Sequence, residues 1–283
     1  MDRKILNELQ ARFDYMSNAE QKIASAILGD PKAFITYSMA ELSDIAGVSQ
    51  GSINNFANKF SGGGFPTLKL QVAACIAEYD GRTFASDDER ESAKEIMKKT
   101  FSGITEALKN TEAVNGEAAL CEASAHLAAA KRIDVYGVYR SAAIATDFYY
   151  QLLTLGIPTN LTNDTLNCSV SASMLGSDDV AVAISSSGKT SDVINAVKIA
   201  KARGAYTVAI TANRGSALAK LADCVLVSAT YGGSNRESET EVRISQMAII
   251  GSLMRYIRSR LGDEEELRYT EIRKILNSHS VDD

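Results

Sequence analysis

The sequence predicts an all-α N-terminal helix-turn-helix domain followed by an α/β three-layer (αβα) domain with a parallel sheet between its helices. Three observations predict it. Up to about Tyr79 apolar residues recur at helical spacing in short segments, two of them opened by capping boxes. From Ile133 onward short apolar runs alternate with helical stretches, the pattern of βαβ units. Between the two, residues 80–89 form a polar break. The boundaries read as 1–80 for the helical domain, 81–112 for a linker and connecting helix, 113–262 for the α/β domain and 263–283 for a charged, exposed tail.

Taking the elements in order, Ser17-Asn18-Ala19-Glu20 and Ser38-Met39-Ala40-Glu41 are capping boxes, each placed before apolar residues at helical spacing. The helix opened by Ser38 runs to Ala46. Gly47 suits a left-handed turn, Val48 plugs the junction, and Ser49 caps a third helix whose core face is Ile53, Phe56 and Phe60. A short helix, a glycine turn and a second helix form a DNA-reading arrangement. The outward residues, Ser49, Gln50, Ser52, Asn54, Asn55, Asn58 and Lys59, suit it. Amide side chains pair with adenine edges, and lysine with guanine or phosphate. A solvated face of a small interaction domain has the same pattern, and the first eighty residues hold slightly more acid than base, which weakens phosphate attraction.

Residues 92–109 read as an amphipathic helix and 117–130 as another. The strand candidates are 133–136, 157–161, 180–184, 207–210 and 225–227, with helices at 142–155, 191–203 and 217–221 and a closing helix at 242–260.

The strongest chemical signal is Val180-Ala181-Val182-Ala183-Ile184-Ser185-Ser186-Ser187-Gly188-Lys189-Thr190, an apolar strand running into a hydroxyl-rich loop before a helix. The first amides of that helix lack intrahelical partners and carry partial positive charge, so an anion sits there readily. Ser185, Ser186, Ser187 and Thr190 add hydroxyls, and Gly188 lets the backbone approach. Gly188-Lys189-Thr190 imitates the end of a nucleotide-binding P-loop, but the first glycine would fall at Ala183 inside the strand. A second strand-loop-helix passage, Tyr136-Gly137-Val138-Tyr139-Arg140-Ser141, supplies Gly137, Arg140 and Ser141 at a neighbouring strand end. Glu239 and Glu241, after Tyr231-Gly232-Gly233-Ser234, are within possible reach; exposed glutamates at a helix start are the alternative.

Composition narrows the function. With two histidines, His126 and His279, imidazole catalysis and most zinc sites are disfavoured. Cys75, Cys121, Cys168 and Cys224 are isolated and read as reduced thiols. No apolar run reaches bilayer length and the first residues lack a signal-peptide pattern, so a cytoplasmic protein without membrane contact is expected. No cofactor, metal or catalytic residue is expected.

Residues 16–69 resemble the helix-turn-helix of the RpiR family of sugar-responsive regulators, through Ala46-Gly47-Val48-Ser49, Ser52-Ile53, Phe56, Lys59, Gly64-Phe65 and Lys69. Residues 130–260 resemble the sugar isomerase (SIS) domain through the loop above, Ala200-Lys201-Ala202-Arg203-Gly204-Ala205, Ile210-Thr211, Ser216-Ala217-Leu218-Ala219 and Ala222-Asp223. The resemblance implies that Ser141, Ser185, Ser187 and Thr190 hold a sugar phosphate. It also implies a homodimer or homotetramer that binds a double-stranded DNA operator and responds to a phosphorylated sugar effector. Aldose–ketose phosphosugar isomerisation is the alternative. Three departures stand out. Asn55 replaces a usual arginine, Asn58 a usual basic residue, and Tyr139 the second glycine of a Gly-x-Gly-x-Ser loop.

Overall fold

The computed structural model describes residues 5–83, 92–229 and 239–278. The chain divides into two compact units. One comprises Met1–Asn115 with Ala212–Ser216 and Val227–Ser245, the other Gly116–Thr211 with Ala217–Leu226 and Gln246–Asp283.

The first unit is helical. Its elements are α1 (Ile5–Ala11), α2 (Asn18–Gly29), α3 (Pro31–Phe34), α4 (Met39–Ala46), α5 (Gln50–Ser61), α6 (Gly64–Thr83) and α7 (Ala93–Val114). Both expected capping boxes form: Ser17 accepts the Glu20 amide proton and Ser38 that of Glu41, and each glutamate accepts its serine's backbone N–H in return. A third, Ser92 with Glu95, opens α7. Leu9, Ile23, Ile27, Phe34, Leu42, Ile53, Phe56 and Leu68 fill one core. Ile45 of α4 is 54% exposed.

The second unit carries α8 (Glu117–Ala129), β1 (Ile133–Tyr136), α9 (Ser141–Thr154), β2 (Thr159–Thr162), α10 (Thr165–Ala172) and β3 (Val180–Ile184). These are followed by α11 (Ser191–Ala202), β4 (Tyr206–Thr211), α12 (Ala217–Leu221) and β5 (Cys224–Val227). The helix α13 (Glu239–Arg258) begins in the first unit and enters the second at Gln246. The sheet order is β2-β1-β3-β4-β5, and β1 pairs in parallel with β2 and β3, as β3 does with β4. Alternate strand residues feed two cores, as a pleated strand requires. Ile133, Val135, Val182, Ile184, Val208 and Ile210 pack with α8, α9 and α13. Tyr136, Ala181, Ala183 and Ala209 pack with α10, α11 and α12. Both faces are therefore covered, which explains the near-continuous apolar strands.

The segment expected as an exposed tail folds over Asp263–Asn277 as α14. A Cβ on Gly156, whose φ is +74°, would meet Arg268 and Ile272 of that helix.

Candidate functional site

The strand order places a topological switch point between β1 and β3. The chain leaves β1 towards β2 on one side through α9, and leaves β3 towards β4 on the other through α11. Those helices lie on opposite faces of the sheet. In open α/β sheets the crevice outside the carboxyl ends of such strands is where ligands bind. The register sets Tyr136 beside Ala183, so the loops beginning at Gly137 and Ser185 open at one level.

The β3 loop is tightly held. Ser185 N–H donates to the Ile210 carbonyl at 3.1 Å, Gly188 N–H to the Ser185 carbonyl at 3.1 Å, and Leu218 N–H to the Gly188 carbonyl at 3.1 Å. The Thr211 hydroxyl donates to the Ser186 carbonyl at 3.2 Å. Gly188 has φ +61°, the left-handed region glycine adopts without strain. Within this frame the Ser185 hydroxyl, nearly buried, accepts the Gly188 N–H and lies 3.1 Å from the Thr190 hydroxyl. Ser187 and Lys189 are exposed, and Ser186 and Thr190 half-buried.

The helices α9 and α11 both start without a side-chain cap, as α8 and α14 also do. Ser17, Asp30, Ser38, Ser49, Ser92 and Asp164 each accept an amide proton of their own helix. Thr190 stands at the N-cap of α11 and Arg140 at that of α9, and neither side chain caps its helix. Thr190 turns its hydroxyl towards Ser185 instead. At α9 the Ser141 and Ala142 N–H groups donate to the Val138 and Tyr139 carbonyls at 3.2 Å, so the amides open to whatever enters the crevice are the first ones of α11.

The β1 loop shows why small residues belong there. A Cβ on Gly137 would lie 2.7 Å from Ala145 Cβ and 2.8 Å from the Ser141 carbonyl oxygen. Tyr139, standing where the resembling family has a second glycine, takes φ +54° and leaves its ring 88% exposed. The glycine preference at this position is thus a backbone requirement. Arg140 is exposed and Ser141 half-buried at the first turn of α9.

A network missed in the sequence lies beneath this loop. Asp134, fully buried, accepts Arg132 Nε at 2.7 Å, the Tyr136 hydroxyl at 3.1 Å and the Ser171 hydroxyl. Asn160 donates to Ser171 Oγ at 2.9 Å. Burial, then the Asp134 charge, pushes the Tyr136 hydroxyl far above the ordinary range. The sequence shows only the alternation of Arg132, Asp134 and Tyr136; the partner that Arg132 and Asp134 share, Ser171 of α10, lies 39 and 37 residues away.

Glu241 belongs to the first unit, where its carboxylate lies against Gly103 of α7. The glycine-rich loop before it lies outside the described residues. His126 stacks on Tyr206 with ring centroids 3.5 Å apart, a packing role. His279 lies outside the described residues. Among the described residues no His, Cys, Asp or Glu cluster could hold a metal, and no helix is long and apolar enough to cross a membrane.

In the first unit, Gly47 has φ +62° and ends α4. Ile53, Phe56, Ala57 and Phe60 bury one face of α5, leaving Gln50, Asn54, Asn55, Asn58 and Lys59 exposed. Ser49 accepts the Ser52 amide proton and its hydroxyl meets that of Ser52 at 2.9 Å, so both serve the helix start. Lys59 Nζ donates to Glu20 Oε1 at 2.7 Å. That bond holds the Glu20 carboxyl below its ordinary range.

Residues 3–79 match the helix-turn-helix domain of the rpiR family, and residues 126–254 match the SIS domain. An uncharacterized HTH-type transcriptional regulator of Caldanaerobacter subterraneus subsp. tengcongensis is 30% identical over 88% of this chain and 87% of its own. The chain belongs to the rpiR family of helix-turn-helix transcriptional regulators. The Escherichia coli HTH-type transcriptional regulator HexR is 27% identical over 88% of this rpiR-family chain and 86% of its own. The Vibrio vulnificus NanR protein shares the fold, with a TM-score of 0.65 at 19% identity, over 98% of this chain and all of that one. This rpiR-family regulator therefore joins a DNA-binding helical domain to an α/β SIS domain.

Proposed function

We propose that α5 reads an operator in duplex DNA while the β1/β3 crevice takes the phosphate of a phosphorylated sugar, and that ligand binding alters operator affinity. The observation that carries the ligand half is the pair of helices, α9 and α11, that leave adjacent parallel strands without side-chain caps. The first amides of α11, with the hydroxyls of Ser141, Ser185, Ser187 and Thr190, form a neutral set of donors suited to a dianion's acceptor oxygens. Arg140, Ser186 and Gly188 complete the lining. NanR, of the same fold, is complexed with ManNAc-6P.

The DNA face in this proposal is Gln50, Asn54, Asn55, Asn58 and Lys59, with Ser49 and Ser52 holding the start of α5. Helix-turn-helix proteins read paired half-sites about 34–36 Å apart, so the regulator acts as a homodimer or homotetramer whose half-site spacing responds to the ligand. The chain senses the sugar phosphate without turning it over. His126 is committed to Tyr206 and cannot serve as an isomerase base at the strand ends.

Thermal melting against sugar phosphates and their unphosphorylated parents tests the site. A ligand at a hundred times its Kd adds about 2.7 kcal/mol, which raises Tm by roughly 5–10 °C in a domain of this size. The rise is expected for the phosphorylated form alone, and its loss is expected in the variant carrying Ser185→Ala and Ser187→Ala, which still retards DNA. An unchanged rise in that variant would remove the crevice from the account.

A further inference from the structure

Gln246 is fully buried, and neither its Oε1 nor its Nε2 meets a hydrogen-bond partner. Burying an amide with both ends unpaired is costly, so such a group marks a place where a polar partner belongs.

Its position follows from its helix. Gln246 shares a face of α13 with Ile249, Ile250 and Leu253, at i+3, i+4 and i+7, and those three lie in the core beneath the sheet on the α9 side. Ten residues further along, the Tyr256 hydroxyl accepts the Cys121 thiol proton at 3.0 Å. Next to Cys121, the Glu122 carboxylate accepts the hydroxyl of Tyr206, the first residue of β4, at 2.7 Å. Tyr256 is therefore level with the beginnings of the strands. Stepping back ten residues at about 1.5 Å each covers about 15 Å. The β4 strand, Tyr206–Thr211, advances about 17 Å at roughly 3.3 Å per residue. Gln246 is thus about one strand length from the level of Tyr256 along α13, a reach that matches the distance to the strands' carboxyl ends.

We infer that Gln246 is the residue that reads the carbon chain of the ligand, its amide pairing with a hydroxyl or carbonyl of the sugar while the two loops hold the phosphate. This rests on the phosphosugar reading and extends it to specificity. A carboxamide offers two donors and one acceptor without charge, the complement of a polyol and not of a phosphate. A site built to pair with a hydroxyl discriminates strongly against ligands that lack it, because its own buried group is then left unpaired.

The test is calorimetric titration of the full chain with glucose 6-phosphate, fructose 6-phosphate, N-acetylmannosamine 6-phosphate and inorganic phosphate. The proteins are the wild type, Gln246→Met, which keeps length without polarity, and Gln246→Asn, which withdraws the amide. The tightest sugar phosphate should bind at least tenfold more weakly to both variants, with inorganic phosphate unchanged. Melting without ligand should show Gln246→Met at or above the wild-type Tm, since an unpaired amide has been removed. If the variants retain the wild-type preference for sugar phosphate over inorganic phosphate, Gln246 does not read the sugar and the phosphosugar reading survives. If they lose affinity for both probes equally, Gln246 acts on the frame of the site and the inference is overturned. If the wild type binds no sugar phosphate more tightly than inorganic phosphate, the phosphosugar reading fails and this inference with it. Should Gln246→Met not fold, Gln246→Asn decides between the same outcomes.

Discussion

Replacing Glu20 by Gln should make DNA binding stronger and more salt-sensitive. Glu20 does two things. Its Oε2 accepts the Ser17 N–H at 2.7 Å to close a capping box, and its Oε1 accepts Lys59 at 2.7 Å. Glutamine keeps the capping acceptor and removes the charge, which frees Lys59 on the exposed side of α5. The lost surface pair is worth about 0.2–1 kcal/mol of folding stability, so Tm should fall by no more than about 4 °C. Each phosphate newly neutralised steepens the slope of log K against log salt by about 0.9. Between 50 and 200 mM salt one such contact changes affinity by about 3.5-fold more than in the wild type. The pH of the assay follows from the sign of the Glu20 shift. Its carboxyl is held below the ordinary 4.5, chiefly by Lys59, so the pair is complete at neutral pH and is lost only as pH falls through that lowered value. Fluorescence anisotropy of a labelled duplex from the protein's own promoter, at pH 7 across that salt range, gives both slopes. Parallel lines for wild type and variant would show that Lys59 does not face phosphate, and the assignment of α5 as the DNA-reading helix would lose its cation.

Three further outcomes are expected. Gly137→Ala forces a Cβ to 2.8 Å from the Ser141 carbonyl oxygen; such overpacking costs about 1–3 kcal/mol, and melting should show a fall of several degrees. Tyr139→Gly relieves a left-handed backbone, worth about 1–2 kcal/mol against roughly 0.5–1 kcal/mol of added chain entropy. Its Tm should hold or rise slightly, whereas a fall of more than a few degrees would mean that the exposed ring is packed. Asp223 feels burial, which raises its pKa, but its bonds to Lys201 and Thr207 win and hold it below the ordinary 3.8. The stability it contributes is therefore present above that ordinary value and lost as pH falls through the lowered one. In urea titrations the gap between wild type and Asp223→Asn should narrow from pH 7 to pH 3, and a widening gap would reverse the sign.

How much was legible in the sequence depended on how local the cause was. β3 was bounded to the residue by an unbroken apolar run and β1 by a short run interrupted only at Asp134, and the turn at Gly47 by its position between a helix and a serine cap. The helix α10 went unread because Thr165–Ala172 mixes small, polar and apolar residues without a clear period, and its place is set by Cys168 and Ala172 packing beneath the sheet. The helix α14 was hidden by its run of acids, which looks like a solvated tail until Arg268 and Ile272 find Gly156. In the site, the β3 loop announced itself because strand, hydroxyls and glycine are contiguous. The Lys59–Glu20 pair spans 39 residues and the Asp134–Ser171 contact 37, so neither leaves a mark at short range. Tyr139 shows the limit from the other side. Its departure from a glycine was visible in the sequence, but the left-handed φ that explains the glycine was not.

The position of the crevice also bears on how a small anion could move a large structure. The helix α9 packs with the layer that holds α8 and α13, and α11 with the layer of α10 and α12. An ester held between Ser141 of α9 and the first amides of α11 is shared between the layers on the two faces of the sheet. A full reversal of a two-state equilibrium, from 1:99 to 99:1, takes about 5.5 kcal/mol of differential affinity. Hydrogen bonds to a charged group contribute about 1.5–3 kcal/mol each, so two to four that form in one arrangement and not in the other are enough. A dianion held only by α11 could bind as tightly, yet it would have the same partners in both arrangements and would shift neither. On the proposed site, sensing therefore needs a contact on the α9 side, such as the Ser141 hydroxyl, as well as the serine loop, because only a ligand that touches both layers has an affinity that depends on how they are packed.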